Sequence, residues 1–297
     1  MHSQEMTAKI ANGHGFIAAL DQSGGSTPKA LRGYGVDDSE WSGEDEMFGR
    51  IHDMRCRIVT SPSFNGEKVL GAILFEKTMD GCVADGTSVP DALKSRGIVP
   101  FLKVDKGLED EADGVQLMKP NPTLDALLEK GKAAGIFGTK MRSVIQSANP
   151  TGIAAIVDQQ FEVGRQILGH GLMPIIEPEV NIKAEDRAQS EQLLLAEILR
   201  ALEALPEGEQ IMLKLSLPVE ANLYKPLVDH PKVLRLVALS GGFSREEACA
   251  HLARNSGMIA SFSRALLEEL RAGMDDAEFD ASLASAIDDI QAASVAG

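Results

Sequence analysis

Gln210-Ile211-Met212-Leu213-Lys214-Leu215-Ser216-Leu217-Pro218 is the stretch on which the reading of this chain turns. Glycine and charge precede this short apolar run, Pro218 closes it, and one lysine sits inside it. A strand sends alternate side chains to opposite faces, so Met212, Lys214 and Ser216 share one side and Ile211, Leu213 and Leu215 the other. A lysine among apolar neighbours must snorkel to water, find a partner, shift its ionisation or do chemistry. Taken alone, a strand-end lysine reaching solvent would explain the stretch. Its surroundings favour chemistry.

Runs of the same kind recur outward from it. Residues 173–180, 137–142, 99–104, 71–75 and 15–20 precede it as strand candidates, and 234–239 and 258–262 follow. Helical patterns alternate with them over 39–59, 89–95, 124–134, 150–168, 184–204 and 245–255. In 124–134, Leu124, Leu127 and Leu128 share a face and Gly135 follows as a C-cap. Two acidic helices, about 265–272 and 278–293, close the chain. Residues 22–28 read as a turn-rich loop and 109–113 as a solvated loop. Eight short strands alternating with helices, without a hairpin signal, predict a parallel sheet with helical crossovers. At 297 residues that pattern points to a single-domain α/β (β/α)8 TIM barrel with a helical tail from about residue 265. A doubly wound open sheet is the structural alternative, but neither G-x-G-x-x-G nor a Walker-type loop occurs.

Composition narrows the function. Hydrophobic residues make up 44%, charged residues 25% and aromatics 4%, so the core is expected to be aliphatic. A net charge of −15 argues against an extended nucleic-acid or anionic-membrane surface, but not against a small pocket where a few cations converge. Cys56, Cys82 and Cys249 are too few and scattered for a disulfide framework. No apolar stretch approaches the ~18 residues of a membrane span, and a cytoplasmic location is the expectation. The six histidines show no pair at ligand spacing, so neither a metal nor another cofactor is expected. No G-x-S-x-G elbow occurs either.

The informative pattern is positional. Asp21, Lys103, Lys140, Glu177 and Lys214 each fall at or near the carboxyl end of a predicted strand, and in a barrel those ends converge on one mouth. Charges from different strands over an apolar core need pairing or a task. By parity Arg142 joins Lys140, and Glu179 joins Glu177. After the last two strands come Ser240-Gly241-Gly242 and Ser261-Phe262-Ser263-Arg264, where barrels often hold a phosphate. Glycines admit backbone N–H groups to an anion, and arginine binds phosphate oxygens bidentately. Lysine becomes a nucleophile when burial or another cation lowers its pKa. Together these residues suggest Schiff-base chemistry on a phosphorylated ketone.

Ala19-Leu20-Asp21-Gln22-Ser23, Leu102-Lys103-Val104-Asp105-Lys106-Gly107, Lys140-Met141-Arg142, Ile176-Glu177-Pro178-Glu179, Leu213-Lys214 and Leu239-Ser240-Gly241-Gly242 resemble class I fructose-1,6-bisphosphate aldolase. The match runs in order over about 15–266, and the compact length resembles the bacterial form. The resemblance implies a metal-independent (β/α)8 lyase of glycolysis and gluconeogenesis. It would split fructose 1,6-bisphosphate reversibly into dihydroxyacetone phosphate and glyceraldehyde 3-phosphate. Lys214 would form the imine at C2, and Glu177 would be acid and base for its formation. Asp21 would take the C4 hydroxyl proton, Lys140 would orient Asp21 and Glu177, and Glu179 would support them. Ser240, Gly241, Gly242, Ser261 and Arg264 would meet the phosphate of the ketone half; Lys103, Arg142, Ser23 and Ser26 match the region of the other. The partner is a small sugar bisphosphate, and because family members are often oligomeric, a homo-oligomer is left open.

Two departures stand out. The animal enzymes have a glutamate where this chain has Gln22, and their C-terminal tail ends in a tyrosine that assists proton transfer. The last tyrosine here is Tyr224, so the group that reprotonates the enamine is unassigned. The competing readings are another Schiff-base sugar-phosphate barrel, transaldolase-like, and a non-catalytic sugar-phosphate-binding scaffold.

Overall fold

The computed structural model describes residues 3–297. Among these residues nine strands form one sheet: β1 Phe16–Leu20, β2 Val69–Leu74, β3 Val99–Lys103, β4 Val115–Gln116, β5 Gly138–Ile145, β6 Met173–Val180, β7 Ile211–Ser216, β8 Val233–Leu239 and β9 Ile259–Ala260. All neighbours pair in parallel except β4, which lies antiparallel on β5. The sheet runs β1-β2-β3-β5-β6-β7-β8-β9, and Ala19 N donates to Phe262 O at 3.0 Å where its two edges meet. This is the expected eight-stranded parallel barrel, nearly closed, with a small hairpin excursion at β4.

Two apolar layers show why the strands alternate as they do. One cluster fills the barrel and contains Ile17, Ala19, Ile73, Phe101, Ile175, Met212, Val237 and Ile259. The other lies between sheet and helices and contains Leu20, Leu74, Leu102, Ile176, Ile211, Leu213 and Leu215. Each strand therefore gives one face to each layer. Full burial of one such aliphatic side chain contributes about 1.5–3 kcal/mol. The helix Ser3–Asn12 plugs the amino-terminal end of the barrel, with Met6 and Ile10 in the interior cluster, and Arg235 Nη1 donates to Ala11 O at 2.6 Å. With this helix covering the amino-terminal end, the polar side chains at the carboxyl-terminal ends of the interior face meet at the opposite mouth.

Helix starts follow local chemistry. Asn149 accepts from Gly152 N at 3.0 Å, with Pro150 opening Pro150–Gly169. Ser244 with Glu247 and Asp275 with Glu278 form capping boxes before Arg245–Leu252 and Asp276–Ala296. Some expectations need correction. The region read as a turn-rich loop, 22–28, already contains the start of a helix, Ser26–Tyr34; the stabilising contacts are tertiary, with Thr27, Leu31 and Tyr34 buried. The helix expected over 265–272 is only Arg264–Leu267. The last strand spans two residues rather than 258–262, although beyond it Ser261 N still donates to Ala238 O at 2.7 Å and Phe262 O accepts from Ala19 N. The final helix packs on β9, where Ser294 Oγ accepts from Ala260 N at 3.0 Å, and Gly297 lies against Asn255 at the barrel's amino-terminal side.

Candidate active site

At the mouth, buried charges form a chain across the barrel. Lys140 Nζ lies 2.6 Å from Asp21 Oδ2 and 3.0 Å from Glu177 Oε2, and Lys214 Nζ lies 3.3 Å from Glu177 Oε1. The registers Arg142↔Glu177 and Ile175↔Met212 explain the meeting: two residues beyond the second pair, Glu177 and Lys214 project from the same level of adjacent strands. Lys140 and Glu177 are 3% exposed and Lys214 4%, so these charges depend on one another rather than on water. Burial alone would raise the Asp21 carboxyl, but Lys140 and Lys214 overcome it and hold the group well below the usual carboxylate range. Burial likewise opposes charge on Lys140, yet Asp21 and Glu177 raise its ammonium above the ordinary lysine value.

Glu177 is held from behind. Its N–H donates to Gln160 Oε1 at 2.9 Å, and the Gln160 amide donates to Ser143 Oγ. Its Oε2 is at ion-pair distance from Lys140 but has no aligned hydrogen-bond donor. This buried carboxylate oxygen thus keeps accepting capacity free at the cavity.

These residues line a cavity of about 770 Å³. Six basic side chains (Lys29, Lys103, Lys140, Arg142, Lys214 and Arg264) and five carboxylates (Asp21, Asp105, Glu177, Glu179 and Glu268) face it. Basic groups outnumber acids here, whereas the whole chain has 29 basic against 44 acidic residues. On one side Lys103 Nζ pairs with Asp105 Oδ1 at 2.7 Å, and Arg142 Nε pairs with Glu179 Oε2. Ser23 and Ser26 also line the cavity, the Ser26 hydroxyl donating to Ser23 O at 2.8 Å. On the other side stand Ser240, Gly241, Ser261 and Arg264. Gly241 has φ +63°, a left-handed turn that glycine adopts without strain. Ser261 Oγ is buried without a hydrogen-bond partner.

The structure thus brings the strand-end charges to one mouth. Gly242 is the exception among the sequence-derived residues. It does not face the cavity but lies behind Arg264, whose Nη2 would be 3.4 Å from a Cβ at that position. Three groups were not assigned from sequence: Asp105, which clamps Lys103; Gln160, behind Glu177; and Arg55, behind Asp21. Asp105 stands within a quoted motif, whereas no periodicity marks the other two. Among the described residues no group of three or more His, Cys, Asp or Glu is arranged to hold a metal ion. No helix among them is long and apolar enough to cross a membrane.

A family model described as class-I fructose-bisphosphate aldolase matches residues 3–226. Among solved structures, the fold is similar to a fructose-bisphosphate aldolase from Plasmodium falciparum, with a TM-score of 0.78 at 20% identity, covering 99% of this chain and 95% of that one. A Corynebacterium glutamicum protein is more distant, with a TM-score of 0.53 at 13% identity and coverage of 98% and 92%.

Proposed function

The chain belongs to the class I fructose-bisphosphate aldolase family, and from that premise we propose which of its side chains carry each step. The reaction is the reversible cleavage of fructose 1,6-bisphosphate to dihydroxyacetone phosphate and glyceraldehyde 3-phosphate through a lysine Schiff base.

Lys214 is the nucleophile. Its Nζ adds to the C2 carbonyl, and Glu177, 3.3 Å away through Oε1, gives the proton with which the carbinolamine hydroxyl leaves as water. Asp21, ionised beside Lys140 at 2.6 Å, then takes the C4 hydroxyl proton. The C3–C4 bond breaks, its electron pair enters the protonated imine as an enamine, and the aldehyde product departs. Protonation at C3 and hydrolysis of the imine release the ketone product and free Lys214. Lys140 holds both carboxylates in place, and Glu179 holds Arg142.

The two phosphates lie at opposite sides of the cavity in this reading. The ketone-half phosphate meets Ser240, Gly241, Ser261 and Arg264, while the other meets Lys103, Arg142, Ser23 and Ser26. Arg264 has no charged partner among the described residues, and the orphaned Ser261 hydroxyl is suited to an incoming oxygen. Lys103 and Arg142 are already paired, so a phosphate there shares them with Asp105 and Glu179. Small-molecule binding is the partner chemistry this site fits, and a cytoplasmic location agrees with it.

The observation that carries the reading is the buried contact between Lys214 and Glu177. Coupled assays on fructose 1,6-bisphosphate and fructose 1-phosphate, with and without chelator, test it. Chelator-resistant cleavage with a preference for the bisphosphate is expected. Loss of activity to chelator would overturn the Schiff-base assignment.

A further inference from the structure

Arg55 lies in the helix Gly43–Thr60 and is 1% exposed. Its guanidinium donates to Thr78 Oγ1 at 2.7 Å, to Gln22 O at 2.5 Å and to Gln22 Oε1 at 3.1 Å. Its Nε has no acceptor. Among the described residues no carboxylate forms a salt bridge with it. Burying a cation without an anionic contact costs several kcal/mol, and burial brings this guanidinium down to about 10, against a partial pull upward from Asp21. The neighbouring Cys56 thiol is pushed up to about 11 by burial and supplies no charge.

Its contacts lead to Asp21. Gln22, the residue after Asp21, is itself buried and passes the connection on, its amide donating to Ser263 Oγ at 2.5 Å and to Ala19 O at 3.4 Å. Arg55, Thr78, Gln22 and Ser263 therefore tie the end of β1 to the segment after β9, beside the Ala19–Phe262 bond that closes the barrel. Asp21 hangs from the middle of this seam. From the mouth it is faced by Lys140, Lys214 and Lys103, and through Lys140 by Glu177 and Asp105. A carboxylate at position 22 would pair with Arg55; the amide and carbonyl of Gln22 bind it without cancelling its charge.

We propose that Arg55, acting through Gln22, is a positioning residue for Asp21: its bonds to the Gln22 carbonyl and amide fix the backbone that presents this carboxylate to the mouth. The inference rests on the assignment of Asp21 as the base of carbon–carbon cleavage. Arg55 then serves cleavage and not imine formation, which takes place at Lys214 and Glu177.

The test compares R55Q, R55K and Q22L, each with and without D21N, measuring steady-state cleavage and borohydride trapping of dihydroxyacetone phosphate on Lys214. R55Q and Q22L should lower kcat about 10- to 100-fold, up to the cost of a misplacement of about 1 Å, with KM changed less than about threefold. Trapping should stay undiminished, and R55K, which keeps the charge, should recover much of the kcat. In the D21N background neither R55Q nor Q22L should cost more than about a further twofold, because the residues act as one unit. Losses that multiply with D21N, or trapping that falls together with cleavage, would overturn the inference. If R55Q does not fold, Q22L decides, and full kcat in Q22L rejects it. Absence of trapping in the unmodified enzyme would instead sink the assignment of the site.

Discussion

Lys140 and Asp21 hold an ion pair at 2.6 Å with side chains only 4% and 10% exposed. Lys140 is also the neighbour of Glu177 at 3.0 Å, so one cation balances two buried carboxylates. K140M should therefore destabilise the fold by roughly 3–5 kcal/mol, the cost of leaving buried charge uncompensated. D21N added to K140M should recover part of that loss. Urea unfolding of the parent and the two variants measures both, and a K140M protein as stable as its parent would contradict the pairing.

The same pair makes stability pH-dependent with a definite sign. Asp21 has a folded value below that of the unfolded chain, so its contribution is present above the unfolded carboxylate value, about 4, and fades as pH falls through the folded one. Lys140 has a raised folded value, so its contribution is present below the unfolded lysine value, about 10.4, and is lost as pH rises through the folded one. D21N should lose less stability than its parent between about pH 5 and pH 2. Urea midpoints at fixed pH check this, and parallel acid limbs would show that Asp21 is not the depressed group.

Kinetics should separate the two basic residues at opposite depths of the cavity. K214A removes the nucleophile and should abolish turnover. R264A removes charged hydrogen bonds to a phosphate, about 1.5–3 kcal/mol, which is roughly 10- to 100-fold in KM by the usual conversion. Equal and small effects in both variants would contradict their roles.

Barrel geometry predicts a sensitive glycine. A Cβ at Gly138 would lie 2.2 Å from Met173 O and 3.0 Å from Phe101 Cδ1, so the parent backbones of β5 and β6 cannot admit one. G138A should lower Tm by several degrees, at about 2–4 °C per kcal/mol for a chain of this size, and calorimetry measures it. An unchanged Tm would mean that the strands part at little cost.

The barrel and its mouth were legible because both follow from a period of two. Met212 in the interior, Leu213 outside it and Lys214 at the rim are what alternation requires once the floor is closed. Arg55 illustrates what alternation cannot reveal. It lies in a helix whose apolar positions Ile51, Met54 and Ile58 were readable as core, while an arginine among them reads as a surface residue. Its burial depends on Gln22 and Thr78, distant in sequence, offering acceptors. The helix at Ser26–Tyr34 was hidden for a related reason: Gly24, Gly25 and Pro28 signal a turn locally, and the packing of Leu31 and Tyr34 overrides them. Gly242 was grouped with Gly241 by adjacency, yet at φ +117° against +63° the two turn differently.

The central claim is that Lys214 forms the covalent imine. Borohydride reduction in the presence of dihydroxyacetone phosphate, followed by peptide mass spectrometry, tests it most directly. The expected result is a single ligand-sized adduct on Lys214, formed equally with and without chelator and absent from K214A. An adduct on Lys140 or another lysine, or no adduct in an enzyme that still cleaves the bisphosphate, would contradict the account.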